Sequence, residues 1–181
     1  VCRICVPEPD FNEYCYAAAV EELAGLEIPE KAHWIRTLIL EMGRINSYLM
    51  YLGGQAGALG QGVIGQWTTY VRDLMLDRFE ELTGARIYHM FILSGGVRDD
   101  LPDGFDARME ATLVEIESTL KDVYDVMFCN AVFKKRAVGL GYVDPALVDQ
   151  FLELLLVEPH PVPPVLDRQA DVLGAHRPRA G

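Results

Sequence analysis

Cys2 and Cys5 form a C-x-x-C pair in the opening stretch VCRICVPEPDFNEYC, with Arg3 between them, Glu8 three residues on and Cys15 at its end. Two thiols at that spacing serve as metal ligands, as a redox dithiol, or as chemically silent residues. A structural zinc site requires two more ligands. Cys15, Cys129, His33 and His89 are available, and none forms a second paired motif. A thioredoxin-type motif requires a βαβ setting that this sequence does not offer. Spacing alone leaves inert thiols and part of a metal site both open.

Three further groups have the residue types for chemistry. GQGVIG (residues 60–65) matches G-x-G-x-x-G. A dinucleotide fingerprint needs a strand before it and a βαβ unit around it. A helical pattern precedes this one, so its glycines are expected to let backbone segments approach closely. Glu41 and Arg44 lie three apart on one helix, with Arg36 upstream. Such a pair makes a modest surface contact or, in a buried helix, organises a polar network. His33 and His89 have no histidine partner at helical spacing, so each is read as a hydrogen-bonded structural residue before a ligand.

The elements that must carry these groups are helical. Residues 13–25 are alanine-rich and end at Gly25, a C-cap signal. Pro29 suits the first turn of the next helix, whose apolar residues Ile35, Leu38, Ile39, Met42, Ile45, Leu49 and Leu52 recur in steps of three and four. Gly53-Gly54 is expected to end or loosen that helix. Another helix is expected over 66–83 with Gly84 as its stop, and a strand or extended segment over 86–93. Phe105, Met109, Leu113, Ile116, Leu120, Val123 and Met127 make the most regular stripe, and a last helix is expected from Pro145 to about Leu156. The fold class is mainly α.

Composition bounds the function. A formal net charge of −11 over 181 residues argues against nucleic acid, which requires a basic footprint. Half of the residues are hydrophobic, enough for a real core. Four irregularly spaced cysteines favour a reduced, cytoplasmic setting. No charge occurs between Arg44 and Arg72, a gap long enough to span a bilayer. Six glycines and three glutamines in it point instead to closely packed, buried backbone. The final 25 residues hold five of the ten prolines and no helical or strand period, so they are read as a disordered or loosely attached tail. The first residue is Val and motif-like sequence follows at once, so the chain is expected to be a fragment.

Three blocks in fixed order resemble one family. AVEELAGLEIPEKAHWIRTLILEMGRINSYLMYLG (19–53), RDLMLDRFEELTGARIYHMFILSGGVRDDLP (72–102) and NAVFKKRAVGLG (130–141) are similar to successive parts of the D subunit of NADH-quinone oxidoreductase, respiratory complex I. That family is related to the large subunits of [NiFe] hydrogenases, whose R-x-C-G-x-C binds nickel. Arg3 and Cys5 match its Arg and first Cys, Glu8 takes the second Cys position and Val6 the Gly. The resemblance implies a fragment of the hydrogenase-large-subunit fold that shapes a quinone cavity, with quinone as substrate, no metal and no cofactor bound by this chain, and electrons arriving from an iron–sulfur cluster in the neighbouring B subunit. It also implies contact with the B and C subunits, coupling to proton translocation, and a peripheral place on the cytoplasmic side of the cell membrane.

The residues it assigns to the cavity are Arg3, Cys5 and Glu8, with Glu8 as the candidate proton donor, since a buried carboxyl holds its proton more tightly. Glu41, Arg44, Arg72 and His89 match family positions and are read as structural. The sequence also departs from the family: its headgroup Tyr position falls at Val6 and its Asp position at Ala58. A divergent hydrogenase-like subunit and a non-catalytic scaffold are the alternatives. The resemblance covers about 1–147, read as an incomplete subunit-D-like helical domain, and fades after about Val148, so 148–181 is read as a divergent, proline-rich, disordered tail left by a truncation or a reading-frame change.

Overall fold

The computed structural model describes residues 1–156 and is mainly helical. Helix α1 (Pro9–Ala24) opens on proline, whose fixed φ and missing N–H suit a first turn. It starts four residues earlier than the alanine run suggests. It stops where expected: Gly25 is left-handed (φ 63°), and the amides of Gly25 and Leu26 donate to the carbonyls of Glu22 and Glu21.

Helix α2 (Glu30–Ala58) begins after Pro29 and does not end at Gly53-Gly54. Gly53 instead lets α2 lie against α3 (Gly62–Thr83). A Cβ at Gly53 would stand 2.5 Å from Thr68 Oγ1 and 3.2 Å from the Cα of Gly65, so a bare backbone is needed for the crossing. Helix α3 starts at Gly62, ahead of the expected 66, so most of GQGVIG forms its first turn. Close approach of backbones, the simpler reading of that motif, is what the structure displays. The charge-free stretch is therefore a helical hairpin folded back on itself. No helix among the described residues is long and apolar enough to cross a membrane.

The expected strand over 86–93 is confined to β1 (Ile92–Leu93), paired antiparallel with β2 (Gly96–Val97). The residues before it are irregular, and Tyr88 (φ 59°) and Met90 (φ 47°) hold left-handed backbone. The amides of Phe91 and Ile92 donate to the carboxylate of Glu13, which takes the place of a sheet partner. Helix α4 (Phe105–Val123) buries Phe105, Met109, Ile116 and Val123, while Leu113 faces outward. A π-helical turn (Tyr124–Phe128) continues it and buries Met127. A short α5 (Ala131–Ala137) is capped by Asn130, whose side chain accepts from the amides of Val132 and Phe133.

The main core joins Ile35, Ile39 and Met42 of α2, Val71, Met75 and Phe79 of α3, Phe91, and the α4 stripe. A smaller cluster gathers Ala56, Ile64, Val123, Met127 and Phe133. These elements lie within one compact unit, Val1–Val138. Helix α6 (Pro145–Leu156), at its expected position, belongs to a second unit that starts at Gly139. The proline-rich remainder of the expected tail, 157–181, lies outside the described residues.

Candidate functional site: a motif at the chain start and the acidic helix behind it

The segment carrying Arg3, Cys5 and Glu8 leads directly into α1. The amide of Ile4 donates to the carbonyl of Val1 (3.1 Å) and forms a tight turn. That turn buries Cys2 and leaves Cys5 half-buried, both as free thiols. Arg3 is exposed at the backbone turn, and its guanidinium lies 5.5 Å from the centroid of the Tyr88 ring, a cation–π contact. Glu8 is half-buried, and its carbonyl accepts from Asn12 Nδ2 at 3.2 Å. Arg3 and Glu8 form no ion pair among the described residues; Arg3 finds an aromatic face in place of a carboxylate.

Behind this segment, α1 buries an unusual stripe: Asp10, Glu13, Ala17 and Glu21, in steps of three and four. Each acid reaches the loop that follows α3. Asp10 is fully buried, and both its oxygens lie 3.0 Å from His89 Nδ1. The other ring nitrogen of His89 faces the carbonyl of Arg86 at 3.2 Å, and the ring stacks on Phe79 with centroids 4.0 Å apart. His89 is thus the hydrogen-bonded residue its isolation in sequence suggests. Glu13 Oε2 accepts from the amides of Phe91 (3.0 Å) and Ile92 (3.2 Å), whereas Glu13 Oε1 is enclosed without a hydrogen-bond partner among the described residues.

Glu21 and Arg36 form a buried bidentate pair, with Nη1–Oε2 at 3.0 Å and Nη2–Oε1 at 2.6 Å. Arg36 also donates to the carbonyls of Leu93 and Gly96, and Glu21 accepts from the amide of Gly95 (2.8 Å). The Arg36 guanidinium holds the Glu21 carboxyl below the usual carboxylate range, against the opposing effect of burial.

Of the family-matched residues, Glu41 and Arg44 pair on the surface with side chains 49% and 52% exposed, so the polar network is not theirs. Arg72 lies on α3, beside a glycine-walled hollow of about 710 Å³ shared with Gly53, Gly54 and Gly65. Burial pulls its guanidinium below the ordinary arginine value. The structure thus brings Arg3 close to the His89 loop, through Tyr88, and leaves Glu41, Arg44 and Arg72 on other faces. Among the described residues no group of three or more His, Cys, Asp or Glu is placed to hold a metal ion.

Sequence reasoning passed over Asp10, Glu13 and Tyr88, and it set Arg36 beside Glu41 and Arg44 without its partner Glu21. A search for apolar stripes does not register an acidic one, although the spacing of Asp10, Glu13, Ala17 and Glu21 is as helical as any in the chain. Arg36 carried a signal too. It stands on the same helical side as Ala32, Ile39 and Gly43, where a lone cation requires a buried partner.

Helices arranged this way, with a pinned loop between α3 and α4, match a solved chain of the membrane-bound sulfane sulfur reductase, an archaeal respiratory membrane complex. The TM-score is 0.75 at 45% identity, over 78% of this chain and 38% of that one. The fold is that of a helical D-type chain of such complexes. The family is equally plain: the model for the respiratory-chain NADH dehydrogenase 49 kDa subunit matches residues 58–151, and the chain belongs to that family. The D subunit of the NADH-quinone oxidoreductase of Thermosipho melanesiensis is 46% identical over 142 residues, covering 78% of this chain and 39% of the relative. The D subunit of the F420H2 dehydrogenase of Methanosarcina mazei is 33% identical over 139 residues, covering 77% and 37%. The chain therefore spans about two-fifths of the length of these relatives. The resemblance carried by the three sequence blocks, and the mainly helical fold it implied, are borne out.

Proposed function

We propose that this chain works as the D-type subunit of a membrane-attached respiratory oxidoreductase and shapes the cavity in which the terminal acceptor, a quinone, is reduced. Electrons come from an iron–sulfur cluster in the adjacent B subunit, the C subunit flanks it, and reduction is coupled to proton translocation on the cytoplasmic side of the membrane. The observation that supports this is the placement of the Arg3–Cys5–Glu8 motif. Arg3 lies over the Tyr88 ring, Asp10 and Glu13 of the helix behind the motif hold the same loop, and Cys5 and Glu8 are half-buried, partly open to an incoming acceptor. In this reading Glu8 donates a proton to the reduced headgroup and Arg3 offers positive charge to a developing oxyanion.

The test is made on the assembled complex. Glu8→Gln is expected to lower quinone reduction about 10²-fold, the scale of a lost general acid, while the cluster's electron paramagnetic resonance signal persists. Undiminished reduction in both Glu8→Gln and Cys5→Ser would reduce the chain to a scaffold. Stoichiometric nickel with hydrogen oxidation would make it a hydrogenase-like subunit.

A second reading is favoured by the half-buried Cys5 thiol and by the 45% identity to a chain of a sulfane sulfur reductase. Here the acceptor is a sulfur chain instead of a quinone. Cys5→Ser would then abolish sulfide release from polysulfide, and the wild-type complex would pass no electrons to a quinone.

A further inference from the structure

We propose that the buried Asp10–His89 pair, with Glu13 beside it, is a proton-loading site that feeds the acceptor reduction; the inference rests on the function proposed above. Among the described residues the hydrogen-bond partners of the His89 ring are all acceptors. Nδ1 lies 3.0 Å from both oxygens of Asp10, and Nε2 lies 3.2 Å from the carbonyl of Arg86. A proton on either nitrogen finds a partner, and the loss of one leaves lone pairs facing each other across 3.2 Å. Glu13 stands one turn along α1 from Asp10 and is 6% exposed, and its Oε1 is enclosed with no partner among the described residues. A bare carboxylate oxygen in that position costs free energy that a proton, or a water carrying one, relieves.

The surroundings favour such a store. Asp10 lies against Gly43 of α2, where an added methyl would rest 3.6 Å from Oδ2. Phe79 covers the imidazole face from α3. The nearby cations are engaged elsewhere. Arg86 binds Asp73, Asp77 and Glu80, Arg98 Nη1 donates to the carbonyls of His89 (3.4 Å) and Met90 (3.3 Å), and Arg3 covers the Tyr88 ring. Solvent is excluded, yet the store adjoins the candidate motif twice. Asp10 follows Glu8 by two residues, and His89 follows Tyr88, the residue that Arg3 touches.

Reduction of a quinone to its quinol takes two electrons and two protons. The electrons come from the neighbouring subunit's iron–sulfur cluster. One proton leaves the loaded pair and the other leaves Glu8; half-buried Glu8, which solvent reaches, regains its proton from water and passes one on to reload the pair. Backbone strain fits this use: Tyr88 and Met90, on either side of His89, keep left-handed backbone that non-glycine residues rarely adopt. The Asp10, Glu13 and Arg98 contacts hold that loop in place.

The experiment uses the intact complex with a short-chain quinone and follows the reduction rate between about pH 5 and 8, the range in which histidine exchanges protons. Glu13→Gln keeps an oxygen for the amides of Phe91 and Ile92 but removes an ionisable group. Asp10→Asn does the same beside His89. Both are expected to assemble with an unchanged cluster signal, to lose about 10²-fold in rate at the alkaline end, and to show a profile displaced from wild type. If Asp10→Asn does not assemble, Glu13→Gln decides, together with infrared difference spectra of the wild-type complex. These must show a deuterium-sensitive carboxyl band on acceptor reduction that Glu13→Gln alters. Profiles and spectra identical to wild type overturn the inference alone. A wild-type complex that passes no electrons to quinone overturns the function reading and the inference with it.

Discussion

Arg36 and Glu21 illustrate what a single buried pair does for this chain. The guanidinium is 1% exposed and bonds to a carboxylate on α1 and to carbonyls 57 and 60 residues further along the chain. Arg36→Met leaves Glu21 buried without its counter-charge, which costs about 3–5 kcal/mol and is read by thermal or denaturant unfolding. Adding Glu21→Leu is expected to recover part of that loss, because the orphaned charge goes with it. The pair also sets an acid limit. The folded carboxyl titrates below the unfolded value of about 4.3, so its stabilisation is complete above that value and disappears as pH falls through the lower folded one. The Arg36→Met variant should therefore show a shallower acid-unfolding slope than wild type. The sequence set Arg36 on the same helix as Glu41 and Arg44 but carried nothing about a partner on another helix or about carbonyls in a turn beyond α3. Glu41 and Arg44, whose spacing was visible, turned out to be the less consequential pair because both face solvent.

Two adjacent glycines in α2 separate what an element permits from what it requires. Gly53 is where α3 crosses, and an added methyl would meet Thr68 Oγ1 and the Gly65 backbone. Gly54 is open, with nothing within 4 Å of an added methyl. Gly53→Ala is expected to destabilise the chain by about 1–3 kcal/mol through forced displacement, and Thr68→Ala in the same molecule should relieve part of it. Gly54→Ala should instead stabilise by up to about 1 kcal/mol through helix propensity, a difference that denaturant midpoints resolve. The sequence marks both residues identically as helix breakers, and only the partner helix tells them apart. Helix ends at Gly25 and Gly84 were legible because a left-handed cap is a local demand. The fate of 86–93 was not: its β-branched and aromatic composition suits a strand, but a carboxylate from α1 occupies its amides.

At the scale of the molecule, acidity and apolar exposure coexist. The net charge is −11, while Trp34, Tyr48, Tyr51 and Tyr70 are all more than half exposed. Large aromatic side chains left this open to solvent are common at protein contacts. The chain produced alone is expected to bind an apolar dye and to self-associate by sedimentation, and both signals should fall once its partners are present. The long separations closed by α1 bear on biosynthesis. Its three acids reach residues 74 to 79 positions downstream, so α1 cannot dock until the loop after α3 has left the ribosome. The α2–α3 hairpin is closed by a three-residue turn and can form first. The earliest of these helices to be translated is therefore the last to be seated, and the carboxylates that later vanish into the interior keep it hydrated while it waits.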